Sequence, residues 1–212
     1  MGAGIDEVFS DLQHEWLGIT WDLAMEQMVG QENELRRAGL WRTGERTLLA
    51  QIGLALDEVR MCRAVAWLLT PDGWHGLGSR FLEVLLEDLG LPTSGAPGAR
   101  VALEEVRATT RADIIVRSGD QTVVFEAKIL AGEQDGQADR IAEHWSAESP
   151  TFVYLTPSGA TPDSALDSRD LWIPLTWTRL GQLARIALHD TSTASHGALE
   201  LIDTLERFGE TP

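Results

Sequence analysis

Apolar residues recur at three- and four-residue spacings through the first 70 positions of the chain, a pattern typical of amphipathic helices. The runs 5–17, 20–38 and 44–69 show this pattern with few breakers, and we expect each to be helical. The sequence Thr-Pro-Asp-Gly at 70–73 then stops it. A further helix is predicted over 78–89, because its apolar face is followed by Gly90, a typical C-terminal stop.

The pattern changes after a loop rich in proline and glycine at 92–98. Short runs rich in Val, Ile and Phe indicate β-strands. They lie at 101–108, 112–117, 121–129, 151–155 and 171–177. Helices are predicted at 135–146, 180–189 and 197–208, with a loop at 157–170 and a linker at 191–195. This order of elements predicts an α/β fold with a mixed sheet.

The same pattern suggests how the chain is organised. We expect a helical N-terminal segment at 1–72 that packs on a core at 73–190, followed by a C-terminal helix at 191–212. The N-terminal helices are candidates for docking a partner protein or a second copy of the chain.

Composition narrows the class of protein. With 212 residues, 43% of them hydrophobic, the chain can bury a full core without disulfides. Cys62 is the sole cysteine, so a disulfide within the chain is impossible. The sequence has neither an apolar run of about 18 residues nor a visible signal peptide. We therefore expect a cytoplasmic protein that does not bind membranes.

The net charge of −16 argues against a nonspecific nucleic-acid coat, which normally presents a basic face. It does not exclude a nuclease, because carboxylates that bind a catalytic cation contribute to the same acidic balance.

The run from 111 to 128 predicts a hairpin that brings three chemically active side chains together. A two-residue turn at Gly119-Asp120 sets a register in which Asp113 lies directly opposite Glu126. Lys128 follows Glu126 by two residues, so its side chain emerges on the same face. Two opposed carboxylates repel each other unless a divalent cation lies between them.

A carboxylate pair with a cation and an amine can hydrolyse a phosphodiester. Composition adds weight to Lys128: among the 17 basic residues of the chain it is the only lysine. Arginine is bulkier and never accepts a proton, which suggests that this position needs an amine. A salt-bridged surface hairpin is the alternative reading of the same three residues.

Asp113, the sequence Glu126-Ala127-Lys128 and the downstream Gln137 resemble the PD-(D/E)XK, or restriction-endonuclease-like, nuclease superfamily. The resemblance spans about residues 73–177 and implies an αβββαβ core. The proline that gives the family its name is replaced here by Ala112.

The resemblance also implies roles. Asp113 and Glu126 would bind Mg²⁺ or Mn²⁺ with the Ala127 carbonyl, Lys128 would be the catalytic amine, and Gln137 would position substrate or water. The family often adds a carboxylate from the preceding helix or first strand, for which Glu83 and Glu105 are both candidates.

The function implied is a Mg²⁺-dependent phosphodiesterase that cleaves nucleic acid, with DNA favoured over RNA, in phage defence or repair of the genome. The alternative is a catalytically inactive nuclease-fold protein that serves as a binding or assembly module. Arg80 and Arg140 are candidate phosphate contacts, with helical ion pairs as the competing role. His75 is expected to cap or pack.

Overall fold

A computed structural model describes residues 19–41 and 44–209. The chain divides into two compact units, 1–44 and 45–212. In the first unit, helix α1 (Ile19–Arg37) confirms the helix predicted at 20–38. The helix predicted at 5–17 lies outside the described residues. The second unit begins at Glu45.

The described residues form seven α-helices and five strands, an α/β architecture. After α1, the helices are α2 (Leu48–Gln51), α3 (Glu58–Leu69), α4 (Arg80–Asp88), α5 (Gln137–Trp145), α6 (Trp177–His189) and α7 (His196–Glu206). The strands are β1 (Arg100–Arg107), β2 (Thr110–Ser118), β3 (Gln121–Ala127), β4 (Thr151–Thr156) and β5 (Trp172–Thr176). Every predicted strand is confirmed, with small shifts at the ends.

The five strands form one mixed sheet in the order β1-β2-β3-β4-β5. The first three strands pair antiparallel, and β3, β4 and β5 pair parallel. Helix α5 connects β3 to β4, as expected for a parallel crossover. The sheet therefore changes from antiparallel to parallel pairing at β3, the strand that carries Glu126.

The sheet is covered on both faces. One core cluster packs Phe125 and Val153 against side chains of the helices, among them Phe81 of α4 and Leu180 of α6. The second cluster joins the sheet to α5, where the fully buried Trp145 lies. Five consecutive buried residues at the end of β3 follow from this double cover.

The prediction of one continuous helix over 44–69 is wrong. Helix α2 ends at Gln51, a 3₁₀ turn follows at Leu54–Leu56, and α3 starts at Glu58. Gly53 lies in the left-handed region at φ +75°, which interrupts the helix. Asp57 then caps α3, because its side chain accepts a hydrogen bond from the Arg60 amide.

None of the helices in the described part of the chain combines the length and the apolarity needed to cross a membrane.

Candidate active site

The hairpin of β2 and β3 has the predicted register. Ser118 pairs with Gln121 across the turn, and the ladder continues to Ile114 opposite Phe125. Gly119 adopts φ +59°, a value that glycine reaches without strain in the first central position of a tight hairpin turn. Asp113 and Glu126 are the next residues on the two strands, so the turn brings both carboxylates to the end of this ladder.

The β2–β3 ladder ends at this point, and a side chain replaces the main chain as the hydrogen-bond acceptor. The Ala127 amide donates a hydrogen bond of 2.8 Å to Asp113 Oδ2. The other oxygen, Oδ1, accepts no hydrogen bond from the described residues. Burial raises the pKa of Asp113, while the Ala127 amide and Lys128 oppose that shift. Asp113 is therefore fixed through Oδ2.

Glu126 is almost completely buried, with 2% of its surface exposed. Its Oε1 accepts hydrogen bonds from Lys128 Nζ and from Gln137 Nε2, the latter at 2.6 Å. Its Oε2 is buried and has no hydrogen-bond partner among the described residues. Burial, reinforced by the charge of Asp113, raises the pKa of Glu126 to about 8. An unsatisfied buried carboxylate oxygen is costly, and a proton, a water or a cation would satisfy this atom.

Lys128 is held by its main chain as well as by its ammonium group. Its amide donates to the Leu155 carbonyl at 2.8 Å, and its carbonyl accepts from Trp177 Nε1 at 3.0 Å. Nζ contacts Glu126 and lies 3.2 Å from the Ala127 carbonyl oxygen. Burial lowers the pKa of Lys128, but the charge and hydrogen bond of Glu126 and the charge of Asp113 outweigh it, so the pKa lies above its ordinary value. Lys128 is therefore an ammonium ion at neutral pH.

A cavity of about 490 Å³ opens over these groups. Asp113, Glu126, Lys128 and Gln137 all line it. The structure thus brings together the side chains that the sequence singled out from β2, from the end of β3 and from the first turn of α5.

Glu58 supplies a third carboxylate to the cavity that sequence reasoning missed. Its Oε2 accepts a hydrogen bond of 3.0 Å from the Ile129 amide, one residue beyond Lys128. The acid cap Asp57 immediately before it was a usable signal for the start of a helix, but the predicted helix over 44–69 placed Glu58 in its interior.

The two carboxylates suggested for this role lie elsewhere. Glu83 lies on α4, where it accepts a hydrogen bond from the hydroxyl of Ser79, the residue before the helix, and pairs with Arg80. Glu105 binds Arg117 and Arg107 on the sheet surface, and these arginines hold the pKa of Glu105 below its ordinary value. Neither glutamate lines the cavity.

His75 is a packing residue, as predicted. Its ring is fully buried, with Nε2 2.7 Å from the Thr70 carbonyl oxygen and Nδ1 accepting from the Leu77 amide.

Cys62 is also buried, and burial raises the pKa of its thiol, which leaves it unreactive.

The fit of a divalent cation depends on how these oxygens are arranged. Among residues 19–41 and 44–209, no cluster of three or more His, Cys, Asp or Glu side chains is arranged to hold a metal ion. The candidate oxygen donors are Glu126 Oε2, which has no hydrogen-bond partner among the described residues, the cavity-lining Asp113 and the Ala127 carbonyl, which lies 3.2 Å from Lys128 Nζ. Hard oxygen donors of this kind suit Mg²⁺ or Mn²⁺, which keep several water ligands in protein sites.

No protein-family model, curated protein or solved structure matches this chain.

Proposed function

We propose that this chain is a Mg²⁺- or Mn²⁺-dependent phosphodiesterase that cleaves nucleic acid, with DNA as its first expected substrate, and that its core is of the restriction-endonuclease-like kind. The observation that carries the proposal is the buried, unsatisfied Glu126 Oε2, which shares a cavity with Asp113 and with the sole lysine of the chain. The likeness of residues 111–137 to the PD-(D/E)XK pattern supports it.

A divalent cation fits the electrostatics of this cavity. Burial raises the pKa values of Asp113 and Glu126, and the charge of Asp113 adds to the shift at Glu126, so a bound cation would stabilise the charged form of both. Asp113, Glu126 and the Ala127 carbonyl would hold it. When bound, such a cation polarises a phosphoryl oxygen and makes a coordinated water more acidic.

The residues of the chain have separate tasks. Lys128 is protonated and fixed through its own main chain, so it can stabilise negative charge that develops on the phosphoryl group. Gln137 orients Glu126 by donating to Oε1. Glu58 binds the amide of Ile129 and thereby fixes the chain just after Lys128.

The experiment is cleavage of plasmid and linear DNA with Mg²⁺ or Mn²⁺, with and without EDTA. We expect Asp113→Ala and Lys128→Ala each to lose at least about a hundredfold in rate. Asp88→Ala and Arg179→Ala are matched controls, because these residues form a surface ion pair with each other. Equal rates for wild type, Asp113→Ala and Lys128→Ala would refute the roles assigned to these residues.

A second candidate is a non-catalytic binding module with the same fold. Two observations favour it: Glu126 Oε1 is already paired with Lys128 and Gln137, and the chain has a net charge of −16. This candidate predicts an intact fold that neither binds Mn²⁺ at Glu126 nor cleaves DNA or a matched RNA strand.

A further inference from the structure

Two arginines line the cavity beside the carboxylates. Its charged lining comprises Glu58, Asp113, Glu126, Arg111, Lys128 and Arg140. Lys128 is paired with Glu126, and the proposed function assigns it to the scissile phosphate. Arg111 and Arg140 are the cations that remain, and they come from different elements: β2 begins at Thr110 and carries Arg111, while α5 carries Arg140.

Arg140 contacts no carboxylate among the described residues. Its Nη1 donates to the Asp135 carbonyl in the loop before α5, at 2.5 Å. Arg140 follows Gln137 by three residues on the helix, so both side chains lie on one face, and both line the cavity. The guanidinium is therefore directed by a main-chain contact while its charge stays available to a ligand. The helical ion pair that competed with this role is not formed.

Among the described residues, only a weak ion pair, with Glu104, competes with a ligand for the Arg111 guanidinium. Its Nη1 lies 3.2 Å from Glu104 Oε1, and the same carboxylate also pairs with Arg63 at 3.6 Å. The Arg111 side chain is 54% exposed, and an exposed ion pair of this kind contributes little free energy. An incoming phosphate can therefore displace Glu104.

The backbone of β1 is strained at Glu104, the residue whose carboxylate contacts Arg111. Glu104 has φ +52°, a left-handed conformation that is strained for a non-glycine residue. The β1–β2 ladder pairs Leu103 with Ile114 and Glu105 with Ala112, and Glu104 takes no part between them. The sheet thus tolerates strain at the residue whose carboxylate contacts Arg111.

A neighbouring cavity of about 540 Å³ has a more acidic lining than the cavity with the two arginines. It also reaches Lys128, but its other charged lining residues are Glu133, Asp135 and Asp163. A phosphate entering there meets three carboxylates and no arginine. The cavity with Arg111 and Arg140 has as many basic as acidic lining residues, so of these two cavities it is the better match for a polyanion.

We propose that Arg111 and Arg140 bind the phosphates adjacent to the scissile one, so that the substrate is a polynucleotide strand and not a mononucleotide. This inference rests on the proposed function and specifies its substrate class. Guanidinium groups suit the task because they bind phosphate in a bidentate manner.

Binding is measured without cleavage, by fluorescence anisotropy of a labelled DNA oligonucleotide in EDTA. We expect Arg111→Gln and Arg140→Gln each to raise Kd about tenfold. Each should also reduce the slope of log Kd against log salt concentration by about 0.7 to 1. Arg80→Gln is the control, because Arg80 is engaged with Asp190 and Glu83 outside the cavity. Thymidine monophosphate should compete poorly with the oligonucleotide.

Arg111→Lys and Arg140→Lys guard against loss of folding, since they keep the charge and the aliphatic stem. They should bind with an intermediate Kd. Wild-type Kd and salt slope in both glutamine variants would overturn the proposal, as would absence of DNA binding by the wild type. If the variants lose binding but the wild type does not cleave, only the proposed reaction fails. If the wild type cleaves and the variants bind normally, only the phosphate-binding role fails.

Discussion

Trp177 holds Lys128 by its main chain: the indole Nε1 donates a hydrogen bond of 3.0 Å to the Lys128 carbonyl. Trp177 is fully buried at the start of α6 and stacks on Phe208. A buried side chain of the helical layer thus sets the position of the lysine that the proposed chemistry needs.

Replacement of Trp177 tests this support. In Trp177→Phe the Lys128 carbonyl loses its indole donor, which should destabilise the fold by about 1–3 kcal/mol and displace the ammonium group. We expect DNA cleavage per folded molecule to fall. Trp172→Phe is the matched control, since Trp172 Nε1 donates to the Ser168 hydroxyl on the other face of the sheet. It should lower the denaturant midpoint but leave cleavage unchanged. Equal losses of cleavage in both variants would contradict this role of Trp177.

The raised pKa of Glu126 predicts a specific dependence of stability on pH in EDTA. The folded chain holds the Glu126 proton up to a pKa of about 8, whereas an unfolded chain releases it near a pKa of about 4.3. Between these values the folded state binds more protons, so this group makes the free energy of unfolding fall as pH rises. Glu126→Gln removes that titration.

The measurement is urea unfolding of wild type and Glu126→Gln at several pH values. The stability of the variant relative to wild type should increase from pH 5 to about pH 8 and then level off. A difference that is constant across this range would show that burial does not raise the pKa of Glu126.

Helices α6 and α7 pack closely against each other at Gly181. A Cβ added there would lie 2.5 Å from the Glu206 amide nitrogen on α7, closer than real contacts allow. Gly181→Ala should therefore destabilise the fold by about 1–3 kcal/mol. Gly98→Ala is the control, because a Cβ at Gly98 meets nothing within 4 Å. Thermal unfolding of both variants decides the matter, and a wild-type Tm for Gly181→Ala would disprove the close approach.

Local sequence was sufficient for the hairpin and insufficient for the surroundings of the site. The turn at Gly119 and the alternation along β2 and β3 fix the register over a few residues, so Asp113, Glu126 and Lys128 could be placed in advance. Glu58 could not, because its approach to Ile129 joins positions 71 residues apart in the chain. Such a contact depends on how α3 packs against the sheet, which apolar spacing alone does not specify.

The error over 44–69 has a similar cause. Apolar spacing is continuous across Gly53, yet the backbone there is left-handed and α3 restarts under the Asp57 cap. Glycine tolerates either conformation, and tertiary contacts choose between them. The sequence did not predict that Arg111 and Arg140 line the same cavity, because they come from β2 and α5 and are brought together only by the fold.

The central claim is that Glu126 and Asp113 hold a divalent cation, and titration calorimetry with Mn²⁺ tests it most directly. We predict one Mn²⁺ site in the wild type, lost in Glu126→Gln and Asp113→Asn and kept in Glu83→Gln, whose carboxylate lies outside the cavity. Affinity should increase with pH, because cation binding displaces the proton that Glu126 holds. Absence of Mn²⁺ binding by the folded wild type, or undiminished binding by Glu126→Gln, would contradict the account.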